Sequence, residues 1–412
     1  MSLKIAEESL PNPLVGMVEC LVVVREYDEK RDKVAVEELE RRCQFGQPGK
    51  PSIIIDLMGD PISRLRNFPS HVMMVAEYGK EREIAGIISG GIKTVRRAKK
   101  DMNDFPVYVK LACILGLRVS PTHRRLGIGT KLVQHLEEWC RKNGADYTYM
   151  ATDCSNLPSI DLFTVKCEYV KFRTPAMLVH PVHAHYKPLD PGVAIVQVPP
   201  RLAELIYSRI FANSEFFPKD IDFILNNKLN LGTFMALPKK SLPICDSKTD
   251  ILPQSFAILS VWNTKEVFKL VVKGVSALTY AFCMGTWVLD TLMPWLKLPS
   301  IPNIFSPFGI YFLYGLHMEG KGASRLMRCL CTFVHNMARD DTDCGALVAE
   351  VGKRDPLIEA IPHWKKFSWD EDVWCIKRLK AVKQEDEESC GPSDLIKSRP
   401  SSSVIFVDPR DF

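Results

Sequence analysis

One segment constrains this chain more than any other. Leu115-Gly116-Leu117-Arg118-Val119 reads as the end of a β-strand, Ser120-Pro121 breaks it, and Gly127-Ile128-Gly129 opens a helix. Ile128, Leu132, Leu136, Trp139 and Cys140 recur at helical spacing, and Asn143-Gly144 supply the stop. A strand that passes through a glycine turn into an amphipathic helix calls for a mixed α/β fold, a sheet with helices packed on it. Glycines at 127 and 129 let backbone approach an anion with no Cβ in the way. First-turn N–H groups have no intrahelical partners, and the helix dipole adds to the attraction. Arg124, Arg125 and Lys131 put positive charge at the same mouth. No Lys-Ser/Thr directly follows the glycines, so a nucleotide P-loop does not fit. The preceding strand lies in a run of hairpins, unlike the βαβ unit of a dinucleotide fingerprint.

At 412 residues the chain exceeds what one core usually organises. The pattern predicts a flexible extension over 1–19, a mixed α/β domain over 20–180, a Pro-containing linker over 181–192 and a second domain of corresponding order over 193–381. An acidic, Ser-rich tail over 382–412 follows, in which Ser403 to Val407 is expected to dock back as a strand. Gly320-x-Gly322, between a strand and a helix, occupies the place of Gly127-x-Gly129, so the second half reads as a degenerate repeat. Lys plus Arg number 54 against 49 Asp plus Glu, too slight an excess to announce a nucleic-acid binder. Thirteen cysteines without a CxxC pair read as reduced thiols, with Cys329 and Cys331 on a core-like helix face. Met1 to Met17 lacks the basic start and apolar core of a secretory leader. Val275 to Leu289 is apolar but too short to span a bilayer and is expected to be a buried helix. Arg96 to Asp101 reads as a solvated hairpin tip, and Lys93 to Lys100 as a weak basic patch at most. His180, His183 and His185 lack the paired Cys or carboxylate a metal site would want, so no metal is expected.

Arg124-x-x-Gly127-x-Gly129, with its Val119-x-Pro121 lead-in, resembles the Gln/Arg-x-x-Gly-x-Gly/Ala motif of the Gcn5-related N-acetyltransferases. Asn156-x-x-Ser159-x-x-Leu162-Phe163 is similar to that family's second motif. Over nearly its whole length the chain resembles the plant hookless-type members, through Leu115 to Pro121, Glu215 to Pro218, Leu225 to Leu229, Leu298 to Pro302 and Phe406 to Arg410. The resemblance implies an acetyltransferase fold in tandem, the second copy degenerate, with acetyl-CoA as cosubstrate. It places the pyrophosphate on the backbone of Arg125, Leu126, Gly127, Ile128, Gly129 and Thr130, beside Arg124. The pantetheine arm falls between Leu115–Val119 and Tyr147–Ala151, near Asn156 and Ser159. A backbone N–H around Leu117, Arg118 or Val119 would polarise the acetyl carbonyl.

Two departures accompany it. Phe163 stands where the family often has a Tyr that protonates the thiolate, and Lys110 to Val119 contains no carboxylate base. Glu77, Glu83, Tyr149 and Asp153 remain as catalytic candidates. In the second half His317 replaces the motif Arg, implying lost cofactor binding. The resulting expectation is an acetyl-CoA-dependent N-acetyltransferase acting on a protein lysine. A nuclear or nucleocytoplasmic location and a part in hormone- and ethylene-responsive plant growth go with it. A protein partner is expected, with no direct nucleic-acid or membrane contact. The alternatives are a non-catalytic acetyl-CoA-binding scaffold and a small-molecule amine acetylase.

Overall fold

The computed structural model describes residues 21–43, 52–100, 105–241, 252–293, 295, 305–341, 343–365, 368, 372–379 and 405–412. β1 (Val22–Glu26) leads through the Asp28 cap into α1 (Glu29–Arg42), where the Asp28 carboxylate accepts from the N–H groups of Lys30 and Arg31. β2 (Ser52–Asp56), β3 (Ser70–Tyr78), β4 (Glu83–Lys100) and β5 (Pro106–Val119) follow, then α2 (Ile128–Lys142), β6 (Tyr147–Asp153), α3 (Leu157–Asp161), β7 (Val170–Arg173) and β8 (Pro175–Pro181). The second half holds β9 (Val193–Val198), α4 (Pro200–Ile210), β10 (Phe217–Pro218), α5 (Ile221–Leu225), β11 (Asn230–Pro238), β12 (Phe256–Asn263), β13 (Lys269–Lys273) and α6 (Ala277–Leu292). β14 (Gly309–Glu319), α7 (Ala323–Asp340), β15 (Cys344–Gly352), α8 (Leu357–Ala360) and β16 (Asp372–Arg378) complete it.

Two mixed sheets organise these strands. The first runs β1-β3-β4-β5-β6-β16-β7, with β10 against β4; the second runs β8-β15-β14-β12-β11-β9. Each has one parallel pair, β5 with β6 and β14 with β15. The sheets trade strands. β16, from the end of the second half, lies between β6 and β7, and β8, from the end of the first, borders β15. The expected boundary at 180 and the expected extent to 381 therefore do not separate the sheets. Apolar strands such as 175–181 and 372–378, buried on both faces, carry no alternation that names a partner.

Alternation does decide layers within β5. Leu111 and Cys113 face inward, into a core shared with Ile310, Phe312, Tyr314 and Val348 of the second sheet. Ala112 and Ile114 face outward beneath Ile128, Leu132 and Leu136 of α2. Leu326, Leu330 and Val334 of α7 cover the outer face of the second sheet. The order of layers is helix, sheet, sheet, helix.

The C-terminal residues 405–412 thread between the sheets. Phe406 lies edge-on to Phe211, Phe217 and Tyr314, and Phe412 stacks on Phe312 at 4.4 Å. The expected terminal strand docks, but over 405–412 it forms no ladder and ends in a 3-10 turn, Pro409–Asp411; residues 403 and 404 lie outside the described residues. Two other expectations change, and β13 forms a separate antiparallel pair with β2. The apolar helix α6 is not buried, with Leu278 84% and Leu292 67% exposed. β4 continues through the supposed solvated tip, and Lys93 and Arg97 of the basic run are buried; the side chains at 98–100 and Asp101 lie outside the described residues. Among the described residues no helix is long and apolar enough to cross a membrane.

Candidate active site

The site begins where β5 and β6 part. Their parallel ladder runs from Leu111–Tyr147 to Ile114–Met150 and ends there. β5 bulges against β4 at the same point, the register shifting between Ile87–Arg118 and Ser89–Leu115, with Gly116 at φ +59°. A Cβ on Gly116 would meet nothing within 4 Å. Beyond the last rung, the β6-facing edge of Leu115–Val119 and the β5-facing edge of Ala151–Asp153 line a gap with backbone polar groups.

The glycine turn follows β5 in the chain. Arg125 adopts φ +67°, and Gly127, at φ +78°, is the left-handed N-cap of α2 and offers no side-chain cap. Its own Cβ would meet nothing within 4 Å, and Arg124, Arg125 and Gly127 are all exposed. Open space, uncapped first-turn N–H groups and two exposed guanidiniums fit an anion such as a pyrophosphate. Gly129 has a different reason. A Cβ there would come within 3.2 Å of Leu162 Cδ2, so it is small for packing against the following helix. Leu117, Val119 and Leu126 pack into the outer core and Ile128 is buried in it, while Thr130 is half-buried. The Arg118 guanidinium turns back to Glu40 at 3.2 Å and to the Leu117 carbonyl at 2.9 Å. Asn156 caps α3, accepting from the Ser159 N–H, and donates to Thr152 Oγ1 at 3.0 Å, an arrangement that orients the loop after β6.

Residues 34–169 match the acetyltransferase (GNAT) family. The chain is 49% identical to "Probable N-acetyltransferase HLS1" of Arabidopsis thaliana, over 95% of this chain and 100% of that one. The chain belongs to the GNAT acetyltransferase family. It is also 41% identical to "Acetyl transferase GW6a" of Oryza sativa subsp. japonica, over 96% and 99% of the two chains. A Saccharomyces cerevisiae N-myristoyltransferase shares its fold across both halves, with TM-score 0.52, 9% identity and coverage of 92% of this chain and 86% of that one.

For this N-acetyltransferase the catalytic candidates part company. Glu77 is 1% exposed and held by Arg25, Arg31 and Arg82. Glu83 is exposed beside the β3–β4 turn. Asp153 is engaged by the N–H and hydroxyl of Ser155. Phe163 is buried under α2, edge-on to Tyr169 at 5.1 Å. Tyr149 stands one rung before the end of the ladder, just short of the gap. Its ring faces the inner core, and its hydroxyl donates to the Asp411 carboxylate.

Asp411 was not among the residues singled out from sequence, although the run Phe406 to Arg410 beside it was. Lys93 Nζ lies 2.6 Å from both Asp411 oxygens and 3.1 Å from Asp408. Arg410 then bridges Asp408, at 2.7 Å, to Asp220, at 2.6 Å. Burial raises Asp411 above the usual carboxylate range against the pull of Lys93, and burial beside Asp411 raises Tyr149 well above the usual phenol.

The second half repeats the backbone but fills its bulge. Gly315, at φ +61°, sits at the corresponding bulge of β14, and Gly322, at φ +78°, is the left-handed N-cap of α7. A Cβ on Gly315 would lie 2.6 Å from the Tyr207 ring. Tyr207 is fully buried and fixed there by Ser260 Oγ at 2.7 Å, itself bonded to Thr233. Among the described residues no group of three His, Cys, Asp or Glu could hold a metal.

Proposed function

We propose that the protein moves an acetyl group from acetyl-CoA to an amine, most readily the side-chain amine of a protein lysine. The observation that carries this reading is that the β5–β6 ladder ends at Ile114–Met150 and that Gly116 and the exposed Gly127 beyond it each have open space where a Cβ would stand. Arg124, Arg125 and the backbone from Arg125 to Thr130 would hold the pyrophosphate, and the open strand edges would take the amide-bearing arm as an added ladder. The thioester supplies the activated acyl carbon. The protein's task is to hold it, orient the amine and move protons. The names of the plant relatives support acetyl as the acyl group. On the resemblance to the plant hookless-type members alone, we also propose a nuclear or nucleocytoplasmic protein that works in hormone- and ethylene-responsive growth with a protein partner.

The test is transfer by purified protein from acetyl-CoA, and from longer acyl-CoA esters, to panels of lysine peptides and small amines. Acetylation of peptides above the uncatalysed rate supports the reading. Transfer to small amines alone makes it a small-molecule acetylase, and saturable acetyl-CoA binding with no transfer to any acceptor makes it a scaffold.

A further inference from the structure

We propose that Asp411, brought in by the C-terminal segment, is the group that removes the proton from the acceptor amine, held in place by Tyr149 and Lys93. This rests on the acetyltransferase reading above and supplies the carboxylate that Lys110 to Val119 lacks. Its position argues for it first. Ile114 and Met150, the last rung of the β5–β6 ladder, face outward toward α2, so Cys113 and Tyr149 are the last inward-facing pair before the gap. Asp411 is bonded to that Tyr149, on the sheet face away from α2. An acceptor approaching the acyl carbon through the interior would meet this carboxylate just short of the gap.

Its connections argue the same way. Asp220, Arg410, Asp408, Lys93 and Asp411 form a chain of alternating charge, of which Asp411 is the last member. The inner members are closed, with side-chain exposures of 0% for Arg410, 2% for Asp408 and 1% for Lys93; Asp411 keeps 12%. The other end, Asp220, keeps 28%, but it lies away from Tyr149, whereas Asp411 is bonded to it. The remaining groups in its surroundings are the Cys113 thiol, Arg64, whose Nη2 donates to the Asp411 carbonyl at 3.3 Å, and the more distant Glu350 of β15.

The chemistry balances without another reagent. The acceptor ammonium gives one proton to a carboxylate oxygen of Asp411, freeing its lone pair. The nitrogen attacks the thioester carbonyl, the C–N bond forms, the C–S bond breaks, and the nitrogen's second proton ends on the departing sulfur. Asp411 then returns its proton to solvent. General-base assistance of this kind is worth on the order of 10²–10⁴-fold.

The full-length protein tests it through acetyl transfer from neutral to alkaline pH, with acetyl-CoA affinity measured alongside. Asp411→Asn is expected to bind acetyl-CoA like wild type, to lose on the order of 10²-fold or more in kcat/KM at neutral pH, and to recover as rising pH frees the amine. Asp411→Glu should regain part of the rate. Tyr149→Phe removes a hydrogen bond that stabilises the ionised carboxylate, so the acidic limb of kcat/KM should move to higher pH. A folded Asp411→Asn with the wild-type rate and pH profile overturns the assignment. Should that variant not fold, Tyr149→Phe decides: a displaced acidic limb supports the assignment and an unmoved one overturns it. Absence of transfer by wild type overturns the acetyltransferase reading itself and this inference with it. Transfer by wild type and Asp411→Asn alike overturns only the inference.

Discussion

The two halves carry the same backbone device with opposite contents. Each parallel ladder ends at a corresponding rung, Ile114–Met150 in one and Leu313–Ala349 in the other. Each has a bulge glycine, Gly116 at φ +59° and Gly315 at φ +61°, and a left-handed N-cap glycine at φ +78°. The first half leaves the bulge open, whereas the second fills it with Tyr207. Retained glycines therefore do not report a retained site. They are kept because the bulge and the cap need positive φ, which a Cβ opposes whether or not anything binds. What separates site from relic is the side chain opposite, and that comes from a different element, α4.

The comparison breaks most completely if the halves are treated as separable. A chain ending at Pro362 keeps both glycine devices but loses β16 and residues 405–412. Val373, Trp374, Cys375 and Ile376 are each no more than 5% exposed in the first sheet. Burying one such apolar side chain contributes about 1.5–3 kcal/mol, against a total stability of about 5–15 kcal/mol. The truncated chain is expected to lack a cooperative melting transition and saturable acetyl-CoA binding. Calorimetry showing both would mean that the first sheet stands without β16 and the C-terminal segment.

That dependence was not legible in the sequence, and the reason is physical. The strand-turn-helix unit around Gly127 could be read because every cue is local: β-branched and apolar runs, glycines at fixed offsets and a helical apolar stripe. The apolar runs of β7–β8 and of β16 are extended for the same local reason, but the break at Thr174 that sends β7 and β8 to different sheets has no such cue. Their partners could not, because pairing depends on which surfaces remain unfilled after the rest has folded. Asp411 was hidden likewise, 262 residues from the tyrosine it meets. Helix α6 misled in the opposite direction, since an apolar composition announces burial and the fold leaves its Leu278 and Leu292 uncovered.

Placing one methyl group on each bulge glycine sharpens the comparison. Gly315→Ala pays the left-handed penalty and also drives a Cβ to within 2.6 Å of a fixed Tyr207 ring, so a loss of about 3–5 kcal/mol is expected. Gly116→Ala meets no neighbour and should lose only about 1–2 kcal/mol. Its effect should fall on acetyl transfer, because the methyl enters the gap. Denaturant titration of the two variants reads the difference, and equal losses would show that the first gap is not open.

A smaller effect separates the strands that flank the two gaps. One residue past the last rung, β6 has the exposed Ala151 and β15 has the buried Glu350, which accepts from Trp374 Nε1 at 2.8 Å. Burial, with Asp372 adding repulsion, pushes the Glu350 carboxyl up to about 8 from an ordinary 4.5. The folded protein thus binds a proton there that the unfolded chain has lost. This stabilising contribution is complete below about pH 4.5, declines as pH rises and is lost as pH passes through about 8. Glu350→Gln keeps an acceptor for Trp374 and removes the titration. Its melting temperature should match wild type near pH 5 and exceed it near pH 8.5, by the equivalent of about 2–4 kcal/mol. Parallel pH profiles would show that Glu350 is charged in the fold.

The finest comparison is between the caps, where the two halves are alike in conformation and space. Gly127 and Gly322 share φ +78°, and a Cβ on either meets nothing within 4 Å. Valine at each position should therefore cost a similar stability, about 1–2 kcal/mol for a branched residue in the left-handed region. Their effects on acetyl-CoA should differ. On the proposed function, a side chain at Gly127 would stand between the first-turn N–H groups of α2 and the pyrophosphate. Loss of even one such charge-assisted contact, about 1.5–3 kcal/mol, lowers affinity roughly tenfold or more. Gly322 belongs to the half whose bulge Tyr207 fills, so Gly322→Val should bind acetyl-CoA as wild type does. Melting curves and acetyl-CoA titrations on the same two proteins decide. Equal melting losses with unequal affinities assign the ligand to the first half; if Gly322→Val alone lost affinity, the roles given to the two halves would have to be exchanged.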